Sequence, residues 1–251
     1  FSIECDLDDA VVGTSMKLIA KTLYNYVRRT GKIVRAERET RRRQAEWHSD
    51  AWEHKTAYSR RTTLGDYQTY RKTQIGKMEE MVAEGQTQRL ERDLALFLNR
   101  FRSVPLPPHA SVLCLGARLG SEVEAFIQLG HFAIGIDLHP GLSNSYVVTG
   151  DFHALQFADS SINGVYTNCL DHAYDLDKIL AEVRRVLKSN GLFILDAFDG
   201  YEEGAMVGPR DTTHWPTAQA FAAMLAAQGS FVIERHSRPD PQWQQFLLRK
   251  A

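Results

Sequence analysis

The amino-acid sequence predicts an α/β protein with a doubly wound, mostly parallel sheet, preceded by an α-helical N-terminal segment and followed by a C-terminal antiparallel hairpin. Two observations carry this prediction. After Pro108, short apolar runs typical of buried strands alternate with amphipathic stretches typical of helices, which is the pattern of a parallel sheet covered by helices. Near the end of the chain, two strand-like runs are joined by a proline-containing turn, which predicts the hairpin.

The composition is that of a globular protein. The chain has 251 residues and is 43% hydrophobic, which is enough for a sizeable core. No apolar run approaches the roughly 20 residues of a membrane-spanning helix, and the first fifteen residues are acidic, unlike a secretory signal. Three widely spaced cysteines without a Cys-x-x-Cys pair favour a reducing compartment and argue against structural zinc. We therefore expect a cytoplasmic protein.

The N-terminal part of the chain is basic. Between Met16 and Arg61 there are thirteen Lys and Arg against five Asp and Glu, although the whole chain carries a net charge of −1. Apolar residues spaced along one helical face from Met16 to Val34 predict an amphipathic basic helix. Residues 16–45 are thus candidates for packing on their own domain, for pairing in a homo-oligomer, or for peripheral contact with a membrane surface.

A domain boundary is predicted after the N-terminal helices. Aromatic and basic residues interleave between residues 51 and 78, which suits stacking on a base or sugar as well as packing. A helical stripe from Leu90 to Phe101 then ends at a proline-rich segment. We therefore expect a helical arm at residues 1–104 and an α/β domain at residues 105–251.

The stretch from 111 to 126, SVLCLGARLGSEVEAF, has the outline of a ligand-binding turn. An apolar strand runs into two glycines four residues apart and then into a helix, as at the ligand edge of open parallel sheets. Twenty-one residues after Gly116, Asp137 ends the next strand-like run, where a carboxylate can accept hydrogen bonds from both ribose hydroxyls of adenosine. Farther on, Asp151 could accept the adenine amino group while Phe152 lies against the ring. These successive strand ends predict an adenosine cradle.

The later half of the predicted domain carries the most specific pattern, GDFHALQFADSSINGVYTNCLDHAYDLDKILAEVRRVLKSNGLFIL. With the turn, it resembles the class I S-adenosylmethionine-dependent methyltransferases, most closely the small-molecule group of methyltransferase type 11, over roughly residues 110–200. The resemblance implies a Rossmann-like fold, S-adenosyl-L-methionine as cofactor, and methyl transfer to a small-molecule, sugar or lipid-linked acceptor. It implies cofactor-binding positions at Gly116, Ala117, Arg118 and Gly120 for the methionine part, Asp137 and Leu138 for the ribose, Asp151 and Phe152 for the adenine, and Asn168 beneath the sulfonium.

Two positions depart from the family pattern. Cys114 replaces the acidic residue usual in the first strand, and Arg118 replaces the middle glycine of the turn. The Arg118 side chain could turn outward or reach the carboxylate of the cofactor, which a guanidinium binds well. A nicotinamide dinucleotide would need a G-x-G-x-x-G turn for its pyrophosphate, whereas a sulfonium has no phosphate. We therefore expect a modified cofactor turn.

The candidate catalytic residues follow the predicted strand NGVYTN. By topology, Asp171 and His172 lie at the mouth of the sheet, where a base could deprotonate a hydroxyl acceptor. In the alternative interpretation, they only cap the next helix or fix the loop. His214 and Trp215 could close the acceptor pocket. The spacing of Asp171, His172 and His214 does not demand a metal, and we predict none.

The resemblance also implies that the N-terminal helices fold over the cofactor as a lid and set acceptor specificity. On residue type alone, the lid candidates are Trp52, Tyr58, Tyr67, Tyr70 and Gln74.

Two other functions stay open. A nucleic-acid methyltransferase would use the basic arm, but the Asn/Asp-Pro-Pro-aromatic loop of many base-modifying enzymes is absent, which disfavours nucleic acid as a partner. A non-catalytic protein that kept the fold would account for Cys114 and Arg118.

Overall fold

The computed structural model describes residues 32, 34–83, 87–141 and 144–251. The chain forms two compact units, residues 1–49 and 50–251. In the first unit, residues 34–47 form helix α1, which is stabilised by ion pairs of Glu39 with Arg42 and Arg43. The amphipathic helix predicted from Met16 to Val34 falls almost entirely outside the described residues. No helix in the described ranges is long and apolar enough to cross a membrane.

The second unit contains all the elements that surround the predicted ligand-binding turn. In chain order they are β1 (Trp52–His54), β2 (Ser59–Arg61), α2 (Tyr67–Ala83), α3 (Thr87–Phe101), β3 (Ser111–Leu115), α4 (Ser121–Gln128), β4 (Phe132–Asp137), β5 (Val147–Thr149), β6 (Ile162–Thr167), α5 (Leu176–Val186), β7 (Leu187–Phe198), β8 (Thr213–His214), α6 (Ala218–Gly229), β9 (Phe231–Asp240) and β10 (Trp243–Lys250).

A seven-stranded sheet has the order β5-β4-β3-β6-β7-β10-β9. The five strands from β5 to β7 are parallel, and β10 pairs antiparallel with both β7 and β9. This confirms the predicted mostly parallel sheet with a C-terminal hairpin. The chain leaves β3 in one direction to β4 and β5, then crosses back to β6 on the other side of β3. In such sheets the carboxyl ends at this reversal form the ligand crevice.

Helices cover both faces of the sheet, which explains the apolar sequence of its central strand. In β3, the side chains from Val112 to Leu115 are at most 1% exposed. Alternate residues of the strands contribute to two buried clusters, one with α5 and α6 and the other with α3 and α4. In the second cluster, the ring of Phe101 stacks on that of Phe126 with centroids 4.0 Å apart. Helix α3 is thereby part of the same core as the sheet.

The division of the chain differs from the predicted boundary at residue 104. It lies between residues 49 and 50, because the apolar stripe of α3 packs on α4 and the sheet. The segment before α2 is also not wholly helical. Strand β2 pairs antiparallel with β1 and with β8, so that Ser59 lies opposite His214 in a second, three-stranded sheet. This pairing links residues far apart in sequence and has no local signal.

Candidate active site

The turn between β3 and α4 contains three residues in the left-handed region. Gly116 has φ 66°, Arg118 φ 47° and Gly120 φ 92°. Glycine suits the first position for a second reason, because a Cβ on Gly116 would overlap Sγ of Cys169. A non-glycine residue in this region costs about 1 kcal/mol, so Arg118 needs support from its surroundings. The turn thus keeps the backbone of a glycine-rich turn with an arginine in its middle.

Asp137 at the end of β4 supplies part of that support. Its Oδ2 accepts a hydrogen bond of 3.1 Å from the backbone N–H of Arg118, and its Oδ1 accepts one of 2.9 Å from the backbone N–H of His139. A carboxylate has about four acceptor sites, so two remain for other donors. Leu138 follows directly and is half-buried.

Asn144 supports the turn from the other side, and sequence reasoning missed it. Its Nδ2 donates to the carbonyls of Arg118 and Pro140, both at 3.1 Å. Its Oδ1 accepts from the backbone N–H groups of Tyr146 and Val147 at 2.9 and 3.0 Å. An asparagine before a strand is a weak turn signal, and nothing local to it indicates a partner 26 residues away.

Asp151 and Phe152 lie at the start of the loop after β5. Asp151 accepts a hydrogen bond from the Tyr67 hydroxyl. It also accepts two from His153, one of 2.9 Å from the backbone N–H and one of 2.8 Å from Nδ1. Burial alone would raise the pKa of Asp151, but hydrogen bonds from His153 and Tyr67 outweigh burial and lower the pKa to about 2. The backbone N–H of Asp175 donates to Nε2 of His153, so Nδ1 carries the hydrogen given to Asp151. The Phe152 ring stacks on His153 at 4.8 Å.

Two of the proposed lid residues reach this edge of the sheet. Tyr67 and Tyr70, at the start of α2, stack on each other at a centroid distance of 5.6 Å and lie 5.2 and 5.1 Å from the ring of Tyr174. The Tyr70 hydroxyl donates to the carbonyl of His172 at 2.7 Å. The other three lie elsewhere: Trp52 is buried in β1 beneath Arg61, Tyr58 precedes β2, and Gln74 is half-buried farther along α2.

Asp171 and His172 lie in a short 3₁₀ turn, Leu170–His172, directly after β6. Nδ1 of His172 donates to the carbonyl of Arg210 at 3.2 Å, and Nε2 lies 3.3 Å from Oδ2 of Asp171. The N-cap of α5 is Asp175, which accepts a hydrogen bond from the Lys178 backbone, so neither Asp171 nor His172 caps that helix. The turn is instead tied to the Arg210 segment, whose role sequence reasoning missed.

The third residue near this pair is Asp211. In the described residues, one ligand atom from each of Asp171, His172 and Asp211 lies within 4.8 Å of the other two, a spacing that would allow a metal ion. His214, the third residue weighed from sequence, is fully buried instead, stacked on Trp215 and tilted against Phe198. It therefore lies in the core as part of β8 rather than at the mouth of a pocket.

A cavity of about 550 Å³ opens at the carboxyl ends of β3 and β6. Helix α3 and the β9–β10 hairpin complete its wall through Arg100 and Trp243, and the start of α4 contributes Glu122. Six of the predicted site residues line it: Gly116, Ala117, Arg118, Asn168, Asp171 and His172. The other five predicted cofactor positions do not line the cavity. Gly120 precedes α4, Asp137 and Leu138 lie at the end of β4, and Asp151 and Phe152 follow β5.

The far wall of the cavity is fixed by a buried polar network. Arg100 donates to Asp240 at 2.6 Å and to Asp196 at 3.3 Å, and its guanidinium lies 5.0 Å from the ring centroid of Trp243. Asp196 also accepts hydrogen bonds from the hydroxyl of Tyr166 and the side-chain amide of Gln245. Burial raises the pKa of Asp196, and the Arg100 charge opposes that rise. The network holds α3 against the hairpin.

The family model described as a methyltransferase domain matches residues 113–195. No curated protein sequence matches the chain. A Burkholderia thailandensis 1,6-didemethyltoxoflavin-N1-methyltransferase, solved with 1,6-didemethyltoxoflavin and S-adenosylhomocysteine bound, has a TM-score of 0.60 at 17% identity, over 80% of this chain and 99% of that chain.

Two other solved structures have similar folds. A putative methyltransferase from Haloferax volcanii, in complex with the Trm112 methyltransferase activator, has a TM-score of 0.53 at 18% identity, over 69% of this chain and 97% of its own. A TehB-like methyltransferase from Corynebacterium glutamicum has a TM-score of 0.50 at 18% identity, over 68% of this chain and 100% of its own. At these identities the likenesses show a shared fold, and the family model covers about a third of the chain. Residues 113–195 thus match a methyltransferase domain, and the chain has the fold of solved methyltransferases, one of which has S-adenosylhomocysteine bound.

Proposed function

We propose that the enzyme transfers the methyl group of S-adenosyl-L-methionine to a small organic acceptor bound in the cavity at the ends of β3 and β6. One observation carries this proposal: Gly116 and Asn168, expected beside the methionine and sulfonium, line the same cavity as Asp171 and His172. Its volume of about 550 Å³ is in the usual range for small-molecule sites. The Burkholderia thailandensis methyltransferase of similar fold, solved with 1,6-didemethyltoxoflavin bound, also favours a small acceptor.

The cofactor would lie across both groups of predicted residues. Asp137 keeps acceptor sites free for the ribose hydroxyls while it holds the turn. Phe152 would lie against the adenine, with Asp151 accepting its amino group beside Tyr67. Arg118 lines the cavity and would bind the carboxylate of the methionine part, for which a guanidinium is suited.

Methyl transfer is an in-line displacement, so these residues mainly align donor and acceptor. When bound, S-adenosyl-L-methionine would supply its methyl group to a lone pair of the acceptor and leave as S-adenosylhomocysteine. Because Nδ1 of His172 donates to Arg210, its Nε2 is the nitrogen that can take the acceptor proton. Asp171, 3.3 Å from Nε2, would stabilise the imidazolium that forms.

Sugar and lipid-linked acceptors remain within this proposal. The membrane, nucleic-acid and homo-oligomer hypotheses depend on residues 16–45, of which only residue 32 and residues 34–45 are described. They therefore rest on the basic sequence of the arm. Within the described residues, a cavity of about 550 Å³ favours a small acceptor over a nucleic-acid strand.

Calorimetric titration with S-adenosylhomocysteine tests the proposal first. We expect micromolar binding that Asp137→Ala weakens at least tenfold, while the exposed-site control Asp177→Ala leaves it unchanged. Transfer of labelled methyl from the cofactor to a panel of small hydroxyl and amine acceptors then tests the reaction. Absence of cofactor binding by the folded wild-type protein would refute the proposal.

A further inference from the structure

One carboxylate in the cavity has no role in the predicted site. Glu122 is the second residue of α4 and is only 6% exposed, yet it lines the cavity together with Arg118. In the described part of the chain it forms no salt bridge, and the hydrogen bond to its carboxylate comes from its own backbone N–H. A buried carboxylate without a cation or a second donor is costly, which suggests that a ligand completes its environment.

The charges around Glu122 show which kind of ligand would suit it. Burial raises the pKa of Glu122 to about 8, Asp137 and Asp93 add to the rise, and the Arg118 guanidinium opposes it. The first turn of a helix favours a negative charge, so the site is built for an ionised carboxylate once a cation is present. At a pKa of about 8, the carboxyl is mostly protonated at neutral pH. Glu122 is therefore suited to a cationic group that enters from the cavity.

Strand β3, next to Glu122, has no carboxylate of its own at this end of the sheet, which explains why a negative charge from α4 is needed. Cys114 in β3 stands where the resembling family usually has an acidic residue, and its thiol is fully buried. Burial raises the pKa of the Cys114 thiol, and the nearby Glu122 charge adds to that rise. A neutral thiol cannot attract a cation. Glu122 brings a carboxylate into the same region from the adjacent helix.

We propose that Glu122 binds the α-ammonium of the cofactor's methionine part, next to the α-carboxylate bound by Arg118. The inference rests on the proposed cofactor site. The ammonium and carboxylate of an amino acid are attached to the same carbon atom. Arg118 and Glu122, which stand on either side of Gly120 in the sequence, line the same cavity and offer it one cation and one anion. Glu122 is thus a cofactor-binding residue that replaces the missing carboxylate of β3.

This arrangement couples cofactor binding to a proton. Binding requires the ionised form of Glu122, so at pH 7 the carboxyl must lose a proton when the ammonium arrives. Raising the pH from 7 to 8 should therefore tighten S-adenosylhomocysteine binding about fivefold, since the cofactor ammonium stays protonated over this range. Titrations in buffers of different ionisation enthalpy should show release of close to one proton at pH 7.

The decisive experiment compares two ligands and three proteins. The ligands are S-adenosylhomocysteine and its analogue in which hydrogen replaces the α-amino group. The proteins are wild type, Glu122→Gln and the control Glu124→Gln, which lies on the same helix with its carboxylate bonded to Gln128. We expect Glu122→Gln to weaken S-adenosylhomocysteine binding at least tenfold, to leave binding of the analogue unchanged and to abolish proton release. Glu124→Gln should change none of these.

The outcomes separate this inference from the proposed function. If wild type binds S-adenosylhomocysteine but Glu122→Gln binds it equally well, or weakens both ligands alike, Glu122 does not bind the ammonium and only this inference fails. If folded wild type binds neither ligand, the cofactor site itself is wrong. Glutamine resembles the protonated carboxyl of Glu122, so the variant should fold, which thermal unfolding checks. Proton release by wild type provides a test that needs no variant, and its absence would overturn the inference.

Discussion

The backbone N–H of Arg118 donates a hydrogen bond of 3.1 Å to Oδ2 of Asp137. This contact joins the turn after β3 to the end of β4, and Asn144 holds the carbonyl of the same residue from the other side. The left-handed backbone at Arg118 is therefore supported at both its N–H and its C=O. A side chain in the middle of the turn is tolerated because the backbone is fixed by its neighbours.

Arg118→Gly tests whether the side chain serves the cofactor or only occupies the turn. Glycine adopts the left-handed conformation without strain but loses more backbone entropy on folding, so we expect stability to change by less than about 1 kcal/mol. Loss of the guanidinium should weaken S-adenosylhomocysteine binding about tenfold in calorimetry. Arg118→Gln keeps the Cβ and should weaken binding by a similar factor. Unchanged affinity in both variants would place the Arg118 side chain outside the cofactor site.

Asn144→Ala should loosen the turn without touching the cavity, because Asn144 does not line it. The variant leaves three backbone carbonyls and two backbone N–H groups without their side-chain partner, which should cost about 2 kcal/mol of unfolding free energy. Denaturant unfolding measures this loss. Hydrogen exchange should also become faster at Tyr146 and Val147. A variant as stable as wild type would show that water replaces the amide.

His172→Gln tests the proposed base. For an acceptor that must lose a proton, we expect kcat to fall by about 100- to 10,000-fold with little change in the cofactor KM. His109→Asn is a matched control, since His109 lies on the surface in the left-handed region that asparagine tolerates. If His172→Gln keeps full activity, the acceptor needs no base or His172 only holds the loop to Arg210.

Tyr67→Phe tests the contact between α2 and Asp151. The folded-state pKa of Asp151, about 2, lies below the value of an unfolded aspartate, so its ionised form contributes stability above about pH 4. That contribution is lost as the pH falls from about 4 to 2, when the carboxylate takes up a proton. Removing the Tyr67 hydroxyl should raise the Asp151 pKa, as measured by carboxyl NMR titration. It should also move the acid-unfolding midpoint to higher pH. An unchanged Asp151 pKa would contradict the contact.

Much of the fold could be predicted from the chain because its signals are local. Alternating apolar runs and amphipathic helices predicted the parallel sheet, and two close strands predicted the hairpin that β9 and β10 form. That the glycine-containing turn lies beside Asp137 could be predicted for the same reason. Strands β3 and β4 are parallel neighbours, so their carboxyl ends lie side by side. The turn after β3 therefore meets the acidic residue at the end of β4.

Only the tertiary structure decided the contacts between distant segments. Arg100 meets Asp196 and Asp240 across 96 and 140 residues, and this network, unseen in the sequence, makes α3 a wall of the cavity rather than part of a separate arm. Asp211 and Glu122 come to the candidate site for the same reason: Asp211 is brought beside Asp171, and Glu122 is buried at the cavity near Cys114. Local periodicity fixes which face of an element is buried, but the partners of that face depend on the order of strands and on the packing of helices.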